Sequence, residues 1–344
     1  AGARLAEPGE FTRRAFLNGR IDLAQAESVA DLIDAASEEA ARSAARSLAG
    51  EFSRRVHAIV AAMTDLRMHV EACIDFPEEE IDPADRAALA AKRAALAASL
   101  DAILDEARQG AVLRDGLTVV LAGPPNVGKS SLLNRLAGDE VAIVTPVPGT
   151  TRDYVRATIA VEGVPIHLID TAGLRETDDP VERIGVERAW RAIESAGAAL
   201  VVESAVDEGR PVDTRRFPAG VPRARVVNKI DLAAGVGATP SRPGETELRV
   251  SAKTGEGIAA LRAWLLDAAG WRPHGEGLFM ARQRHIDALE EAKAHVGRAS
   301  EAGQAFDLMA EELRLGQRAL GRITGEVSAD DLLGAIFSRF CIGK

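Results

Sequence analysis

The segment 123–130, with the sequence GPPNVGKS, constrains the fold more than any other part of the chain. It matches the phosphate-loop pattern G-x-x-x-x-G-K-S, whose required context is a β-strand before it and a helix after it. An apolar run at 117–122 precedes the segment and a helical pattern follows it. The glycines let backbone N–H groups approach phosphate oxygens, and the helix N-terminus adds a favourable dipole. We therefore expect Lys129 to reach the β- and γ-phosphates and Ser130 to bind Mg²⁺.

Short β-rich runs alternate with helical patterns through the middle of the chain. This alternation predicts a doubly wound, mostly parallel sheet. Residues 235–244, rich in glycine and proline, are expected to form a surface loop. The predicted strands are 117–122, 155–161, 166–169, 199–202, 224–227 and 247–250.

Both ends of the chain are predicted to be helical. After a loop over the first twenty residues, one long helix is expected from Asp22 to about residue 74, with Gly50 as a weak point. Asp22 is a plausible N-cap, with Gln25 at the capping-box position. A second helix is expected from Pro83 to Arg108, and the last helix is expected to be capped by Ser328. The first helix carries a heptad stripe of Phe52, Val56, Ile59, Met63, Leu66, Val70 and Cys73, which predicts a core position for Cys73.

The last 70 or so residues are marginal as an independent core, and the N-terminal stripe also needs a partner. We therefore predict one all-α helical domain built from both ends, with an α/β domain inserted between them. The expected divisions are a linker at 1–20, helical parts at 21–111 and 273–344, and the α/β domain at 112–272.

Composition limits the class of protein. The chain has 42 basic and 52 acidic residues, giving a net charge of −10. A strongly cationic nucleic-acid binder is thereby disfavoured, although a local basic face is not. Two cysteines form no disulfide framework, so the expected location is the cytoplasm. No apolar run approaches the ~18 residues of a membrane span and no leader is recognisable, while a start at Ala1 suggests a piece of a longer protein.

A second motif selects the base. In Asn228-Lys229-Ile230-Asp231, an N-K-x-D pattern after a predicted strand, Asp231 can accept hydrogen bonds from N1–H and N2–H₂ of guanine. Adenine lacks both donors, and sites of this kind can reject such an analogue by roughly 10⁴–10⁵. Ser251-Ala252-Lys253 follows the next strand and would back the base through its main chain. Three of the six lysines and two of the four asparagines lie inside these motifs. Ordinary turns or an ATP-binding protein explain this combination less well.

The third motif, Asp170-Thr171-Ala172-Gly173, has the D-x-x-G pattern. Asp170 would act on Mg²⁺, through water, and the Gly173 N–H would reach the γ-phosphate. Leu174 follows it and cannot orient a water molecule, so another polar residue between Arg175 and Glu187 must do so. The segment 145–153 is the expected switch I and offers a threonine for Mg²⁺. The nucleotide-contacting residues predicted from the motifs and from this segment are Asn126, Val127, Gly128, Lys129, Ser130, Ser131, Thr145, Thr150, Thr151, Asp170, Thr171, Ala172, Gly173, Asn228, Lys229, Asp231, Ser251, Ala252 and Lys253.

The sequence resembles the MnmE (TrmE) family of bacterial tRNA-modifying GTPases over essentially its whole length. The segments that carry the resemblance are GTTRD at 149–153, DTAGLR at 170–175, the terminal FCIGK at 340–344, PGEFT at 8–12 and DLAQAE at 22–27. The resemblance implies a cytoplasmic GTPase whose G domains pair into a homodimer. It also implies that, with the FAD-containing partner MnmG, the protein modifies C5 of the wobble uridine of tRNA.

The resemblance also assigns metal ligands and a catalytic carboxylate. It implies that Asn126 binds K⁺ within a loop containing Thr145, Val147 and Thr150. Thr151 becomes the second Mg²⁺ ligand beside Ser130, and Glu182 the carboxylate that orients the attacking water. K⁺ beside the phosphates would act as an arginine finger does.

Other implied features concern the chain ends. Family members carry a further N-terminal domain that binds a folate one-carbon donor, so 1–20 would be its remnant. Arg20 and Lys344 match folate-contacting positions of the family.

Three alternatives stay open at this point. Cys341 is either a catalytic thiol or a small residue packed beside Phe340. The arginines of the C-terminal helices either bind tRNA or form a solvated face. The whole chain is either a tRNA-modification enzyme or a ribosome-assembly GTPase that acts as an RNA-binding switch. The six histidines show no zinc-ligand spacing.

Overall fold

The computed structural model describes residues 4–75, 83–138, 157–170, 196–206, 217, 220–233, 246–273, 277–303, 305–326 and 336 of the chain. The chain divides into two compact units. The helical unit comprises Ala1–Ala35, Ala40–Arg114 and His274–Lys344, and the α/β unit comprises Ala36–Glu39 and Asp115–Pro273. The predicted fold class, an α/β domain inserted into an all-α domain, is therefore confirmed.

The helices and strands of the described residues alternate as expected in the middle of the chain. In chain order they are α1 Glu10–Leu17, α2 Leu23–Asp34, α3 Glu38–Leu48, α4 Glu51–Asp75, α5 Pro83–Asp115, β1 Leu117–Ala122, α6 Lys129–Ala137, β2 Ala157–Val161, β3 Val164–Asp170, β4 Ala198–Ser204, β5 Arg223–Asn228, a 3-10 turn Ile230–Leu232, β6 Thr246–Arg249, α7 Ile258–Ala268, α8 Gln283–Glu301 and α9 Phe306–Thr324.

The first twenty residues are not all loop, as predicted, because α1 lies among them. Gly9 starts this helix with φ +68°, a conformation that glycine adopts without strain. Glu10 then forms an ion pair with Arg4, and Phe16 packs against a small apolar cluster on α2. With only eight residues between two turn signals, the sequence pattern was too short to indicate a helix.

The single long helix predicted from Asp22 to residue 74 is three helices, α2, α3 and α4. The chain leaves the helical conformation at Ala35, which has φ −56° and ψ 122°, and turns again at Gly50, which has φ +82°. The predicted capping box of Asp22 and Gln25 is confirmed. Gln25 Nε2 also donates to the carbonyl of Leu48, so α2 stabilises the end of α3.

The core of the helical unit contains the predicted stripe of α4. Phe52, Val56, Ile59, Met63, Leu66 and Val70 are all buried, together with side chains of α5, α8 and α9. Cys73 is half-buried and packs against this core. Burial raises the pKa of the Cys73 thiol.

Helix α5 does not stop at Arg108 as predicted but runs on through Gly110 to Asp115. A glycine is needed at 110 because a Cβ there would meet the carbonyl oxygen of Phe279 at 2.0 Å. The segment 278–281 lies against α5 at this point, and Ser43 and Ser47 of α3 donate to its carbonyls. Gly110 is therefore the site of a close approach inside a helix.

A buried ion network joins α2 to the start of α8. The guanidinium of Arg284 donates to both carboxylate oxygens of Glu27, and His285 Nε2 lies 2.9 Å from Glu27 Oε2. Arg282 pairs with Asp31 at 2.7 Å. Burial alone would raise the pKa of Glu27, but the hydrogen bonds from His285 and Arg284 hold it far below its ordinary value.

The sheet of the α/β unit has six strands among the described residues, in the order β2-β3-β1-β4-β5-β6. All neighbours are parallel except the edge pair β2–β3. The loops after parallel strands therefore gather at one edge, where open α/β sheets bind ligands. None of the described helices is both long and apolar enough to cross a membrane. The predicted Ser328 cap lies outside the described residues.

Candidate nucleotide-binding site

The phosphate loop begins at the end of β1, a strand paired with β3 on one side and β4 on the other. Its first glycine is required by packing, since a Cβ on Gly123 would stand 2.3 Å from the carbonyl oxygen of Val202 on β4. Its second, Gly128, has φ +94° and precedes α6 directly. A Cβ on Gly128 would stand 2.3 Å from Nδ2 of Asn228. Both glycines therefore allow neighbouring strands to approach the loop.

Lys129 is the first residue of α6 and is only 6% exposed. Its ammonium group donates to the carbonyls of Gly123 at 2.7 Å and Pro124 at 2.9 Å, which places the charge across the mouth of the loop. The N–H groups in the first turn of α6 add positive potential in the same place. This combination suits an anionic ligand with several oxygens, such as a polyphosphate.

Asn228 connects two of the motifs. It is the last residue of β5 and is almost fully buried. Its Nδ2 donates to the carbonyl of Val127 in the phosphate loop at 2.9 Å, and its Oδ1 accepts from the N–H of Ala252 at 3.1 Å. One amide side chain thereby holds the phosphate loop and the 251–253 loop in a fixed relation.

Asp231 is positioned by Ser251. The Ser251 hydroxyl donates to Asp231 Oδ1 at 2.7 Å and accepts from the N–H of Thr254 at 3.1 Å. A carboxylate fixed in this way can accept two parallel hydrogen bonds, which is the pattern that guanine offers and adenine does not.

Arg135 on α6 contacts the same loop, and the sequence reasoning missed it. Its Nε donates to the carbonyl of Ala252 at 2.9 Å, and its guanidinium also donates to the carbonyl of Lys253. No spacing or motif signalled this contact, because it joins residues more than 100 positions apart through main-chain atoms.

The structure brings several predicted residues together at this edge. Asp170, the last residue of β3, pairs in register with Leu121 of β1. Lys229 has φ +65° and follows Asn228. The exposed members of the predicted set are Asn126, Ser130, Ser131 and Lys253, while Val127, Ser251 and Ala252 are buried.

Two described residues match the chemistry of the implied cations. Ser130 carries an exposed hydroxyl in the first turn of α6, directly after Lys129, where a phosphate-bound Mg²⁺ would be reached. Asn126 has an exposed side chain and φ +65°, and its amide oxygen is a ligand that a hard cation accepts. The oxygen atoms of Ser130 and Asn126 are therefore suitable ligands for Mg²⁺ and K⁺, respectively.

The remaining predicted site residues stay predictions. Arg20, assigned to folate, is exposed and follows α1. The residues outside the described part of the chain are Thr145, Val147, Thr150, Thr151, Thr171, Ala172, Gly173, Glu182, Cys341 and Lys344.

Comparison with known proteins gives one consistent result. The family model described as the MnmE helical domain matches residues 23–341. The tRNA modification GTPase MnmE of Azoarcus sp. (strain BH72) is 58% identical over 350 residues, which cover 100% of this chain and 77% of that protein. Proteins with the same name from Burkholderia thailandensis and Ralstonia nicotianae are 59% and 57% identical, and in each the match covers 100% of this chain and 76% of the relative.

Proposed function

This chain belongs to the MnmE family of tRNA modification GTPases, and from that premise we propose that it is a potassium-activated GTPase serving modification of the tRNA wobble uridine. That it is a GTP hydrolase acting in tRNA modification follows from the family itself. The ribosome-assembly alternative is not carried forward, since the relatives are named for tRNA modification.

The two hydrogen bonds of the Asn228 side chain support the proposal that this site binds a guanine nucleotide. They tie the loop that would bind phosphate to the loop that would back the base, at 2.9 and 3.1 Å. Asp231, oriented by Ser251, would then read the guanine edge. Lys129 and the N-terminus of α6 would hold the β- and γ-phosphates.

Two cation sites belong to the proposal. Ser130 and Thr151 would hold Mg²⁺, which supplies charge neutralisation at the β- and γ-phosphates when it is bound. Asn126, with oxygens from the loop that contains Thr145, Val147 and Thr150, would hold K⁺, which offsets charge that develops during hydrolysis.

Glu182 is the proposed group for orienting the attacking water. Its carboxylate would accept a hydrogen bond from the water, whereas Leu174, directly after the D-x-x-G motif, has no polar atom for this task. The acidic stretch around Glu182 would otherwise form only a solvated face.

The partners are proposed from the family. An FAD-containing MnmG protein would act with this chain on C5 of the uridine, and the GTP state would pair the α/β units of two copies. Cys341 is proposed as a catalytic thiol of the tRNA chemistry. A folate one-carbon donor, contacted by Arg20 and Lys344, completes the proposal, and the cytoplasm is its proposed location.

Hydrolysis assays in potassium and in sodium test the proposal directly. Calorimetry should first detect binding of GDP and none of ADP, and GTP turnover should then be much faster in KCl than in NaCl at equal ionic strength. The Glu182→Ala variant should lose turnover and keep its affinity for GTP. An Asp267→Ala variant, changed at an exposed position of α7, serves as the control.

Different results would contradict different parts of the proposal. Equal rates in the two salts would contradict the potassium assignment alone. Loss of GTP binding by Glu182→Ala would give that residue a structural role. Absence of GDP binding by the unmodified chain would overturn the proposed function.

A further inference from the structure

We propose that Arg135 is a positioning residue that holds the base-backing loop and thereby sets how long a guanine nucleotide stays bound. The inference rests on the proposed function, because it deepens the account of that same site. Arg135 lies on α6, six positions after Lys129, and belongs to none of the nucleotide motifs. Helix α6 would contact the phosphates with its first turn and the base loop with its last.

The two hydrogen bonds of Arg135 are made to consecutive carbonyls. Nε donates to Ala252 O at 2.9 Å, and the terminal nitrogen donates to Lys253 O. A guanidinium presents its donors in a fixed fork, so it can fix two neighbouring peptide planes, which the single point charge of an ammonium does less well. Arg135 therefore restrains the orientation of the loop as well as its position.

The loop is held on its other side by the groups already described. Asn228 accepts from Ala252 N–H, and Ser251 Oγ accepts from Thr254 N–H. The peptide between Lys253 and Thr254 is thus fixed at both ends, by Arg135 at its oxygen and by Ser251 at its nitrogen. Because a trans peptide is planar, loss of the contact at its oxygen leaves the whole unit held only at its nitrogen.

The turn that follows the loop lies close to the guanidinium. Gly255 has φ +89°, and the guanidinium carbon of Arg135 lies 4.0 Å from the position that a Cβ on Gly255 would take. The Gly255 N–H donates to Ser251 O at 2.8 Å, which closes the turn. Arg135 therefore lies beside a turn in which Asn228 and Ser251 also make hydrogen bonds.

A purely structural role for Arg135 makes a different prediction. A basic side chain in the last turn of a helix stabilises that helix through its dipole, whatever the loop does. Removing it would then lower the stability of the unliganded protein and leave nucleotide kinetics alone. If Arg135 instead positions the loop, its removal should speed dissociation of the nucleotide, because the loop would contact the base of the bound nucleotide.

Stopped-flow dissociation of a fluorescent GDP analogue from the full chain separates the two roles. We expect Arg135→Ala to raise the dissociation rate roughly 10-fold or more, since two charge-assisted hydrogen bonds are lost. Arg135→Lys should fall between this variant and the unmodified protein. At saturating GTP the turnover number should stay unchanged while KM rises. Asn134→Ala, at the neighbouring exposed position of α6, is the matched control.

The results decide in the following way. A dissociation rate within twofold of the unmodified protein for Arg135→Ala, or an equal rise for Asn134→Ala, would overturn the inference while leaving the proposed function intact. If Arg135→Ala fails to fold by circular dichroism, Arg135→Gln is measured in its place and judged by the same limits. Failure of the unmodified chain to bind GDP would end both proposals.

Discussion

Asn228 shows how one side chain can serve two loops that the sequence describes as separate motifs. The pattern N-K-x-D predicted a role in selecting guanine, and the structure adds the bond from its Nδ2 to Val127 O in the phosphate loop. That bond runs past Gly128, where any Cβ would collide with the amide. The glycine of the phosphate loop and the asparagine of the base motif therefore depend on each other.

His285 is a second residue whose state is set by its surroundings. The N–H of Arg282 donates to its Nδ1, so the imidazole proton lies on Nε2 and is donated to Glu27. Complete burial, followed by the nearby charge of Arg284, lowers the pKa of His285 and keeps the ring neutral. Glu27 stays ionised beside it.

Acid should therefore destabilise the helical unit through His285. Below pH ~6.5 the imidazole binds a proton more readily in the unfolded chain than in the folded one, so stability is lost as the pH falls. Between pH 7.5 and 5.5 we expect the free energy of unfolding to drop by up to about 1.4 kcal/mol from this group. Glu27 adds to the loss only below its ordinary pKa, where its carboxyl protonates on unfolding.

Urea unfolding followed by far-ultraviolet circular dichroism at the two pH values measures this drop. In His285→Gln the dependence on pH should be flatter by the same amount, whatever the variant costs in absolute stability. His57→Gln, at an exposed position of α4, provides the control. An identical pH dependence in His285→Gln and the unmodified protein would contradict the assignment of a neutral buried ring.

Among the elements, the strands were predictable and the helix ends were not. Each described strand starts and ends within two residues of the predicted runs. The central strands β1, β4 and β5 are largely buried, and short apolar segments bounded by turn residues are the local pattern that predicts such strands. The break at Ala35 was hidden by alanine-rich sequence, which favours a helix, and the break at Gly50 was predicted only as a weak point. The continuation of α5 through Gly110 depends on the distant segment 278–281, which no local pattern reveals.

Alanine at position 110 tests this close approach. Its Cβ would stand 2.0 Å from Phe279 O and 3.2 Å from the N of Ala281, and both are main-chain atoms that cannot rotate away. We expect Gly110→Ala to destabilise the helical unit by about 1–3 kcal/mol, even though alanine is the better helix former. The measurement is urea unfolding followed by circular dichroism.

Gly297 provides the opposite case on α8. It is exposed, and apart from its chain neighbours and the backbone of its own helix, no atom of the described residues lies within 4 Å of the position that its Cβ would take. Gly297→Ala should therefore stabilise the helical unit, by about 0.5–1 kcal/mol. Equal effects of the two substitutions would show that the approach of segment 278–281 to α5 does not matter.

At the scale of the whole molecule, the insertion of an α/β domain into a helical domain could be predicted, because neither the N-terminal nor the C-terminal helices carry enough apolar surface to form a core alone. The base-binding and phosphate-binding motifs were found because each is a contiguous run of residues. Arg135 was not, since its partners are main-chain carbonyls that every residue type possesses. Sequence patterns thus predicted the groups that would touch the nucleotide and missed one that holds them in place.

Nucleotide binding should stabilise the α/β unit against urea. All three tryptophans, Trp190, Trp264 and Trp271, belong to the α/β unit, so their fluorescence reports on that unit. GDP at 100 times its dissociation constant should stabilise it by about 2.7 kcal/mol, which moves the fluorescence transition in urea to higher concentration. An unchanged fluorescence transition in the presence of GDP would contradict nucleotide binding by this unit.

Insertion of one unit within another also fixes the order in which a nascent chain can mature. Once Pro273 has been synthesised the α/β unit is complete, whereas α4 still lacks α8 and α9, against which its stripe packs. Glu27 likewise lacks its hydrogen-bond partners Arg284 and His285 until those residues have been synthesised. Helices α2 and α4 thus keep apolar and ionic surface uncovered until the residues after Pro273 have been synthesised, and that interval is when they would need a chaperone.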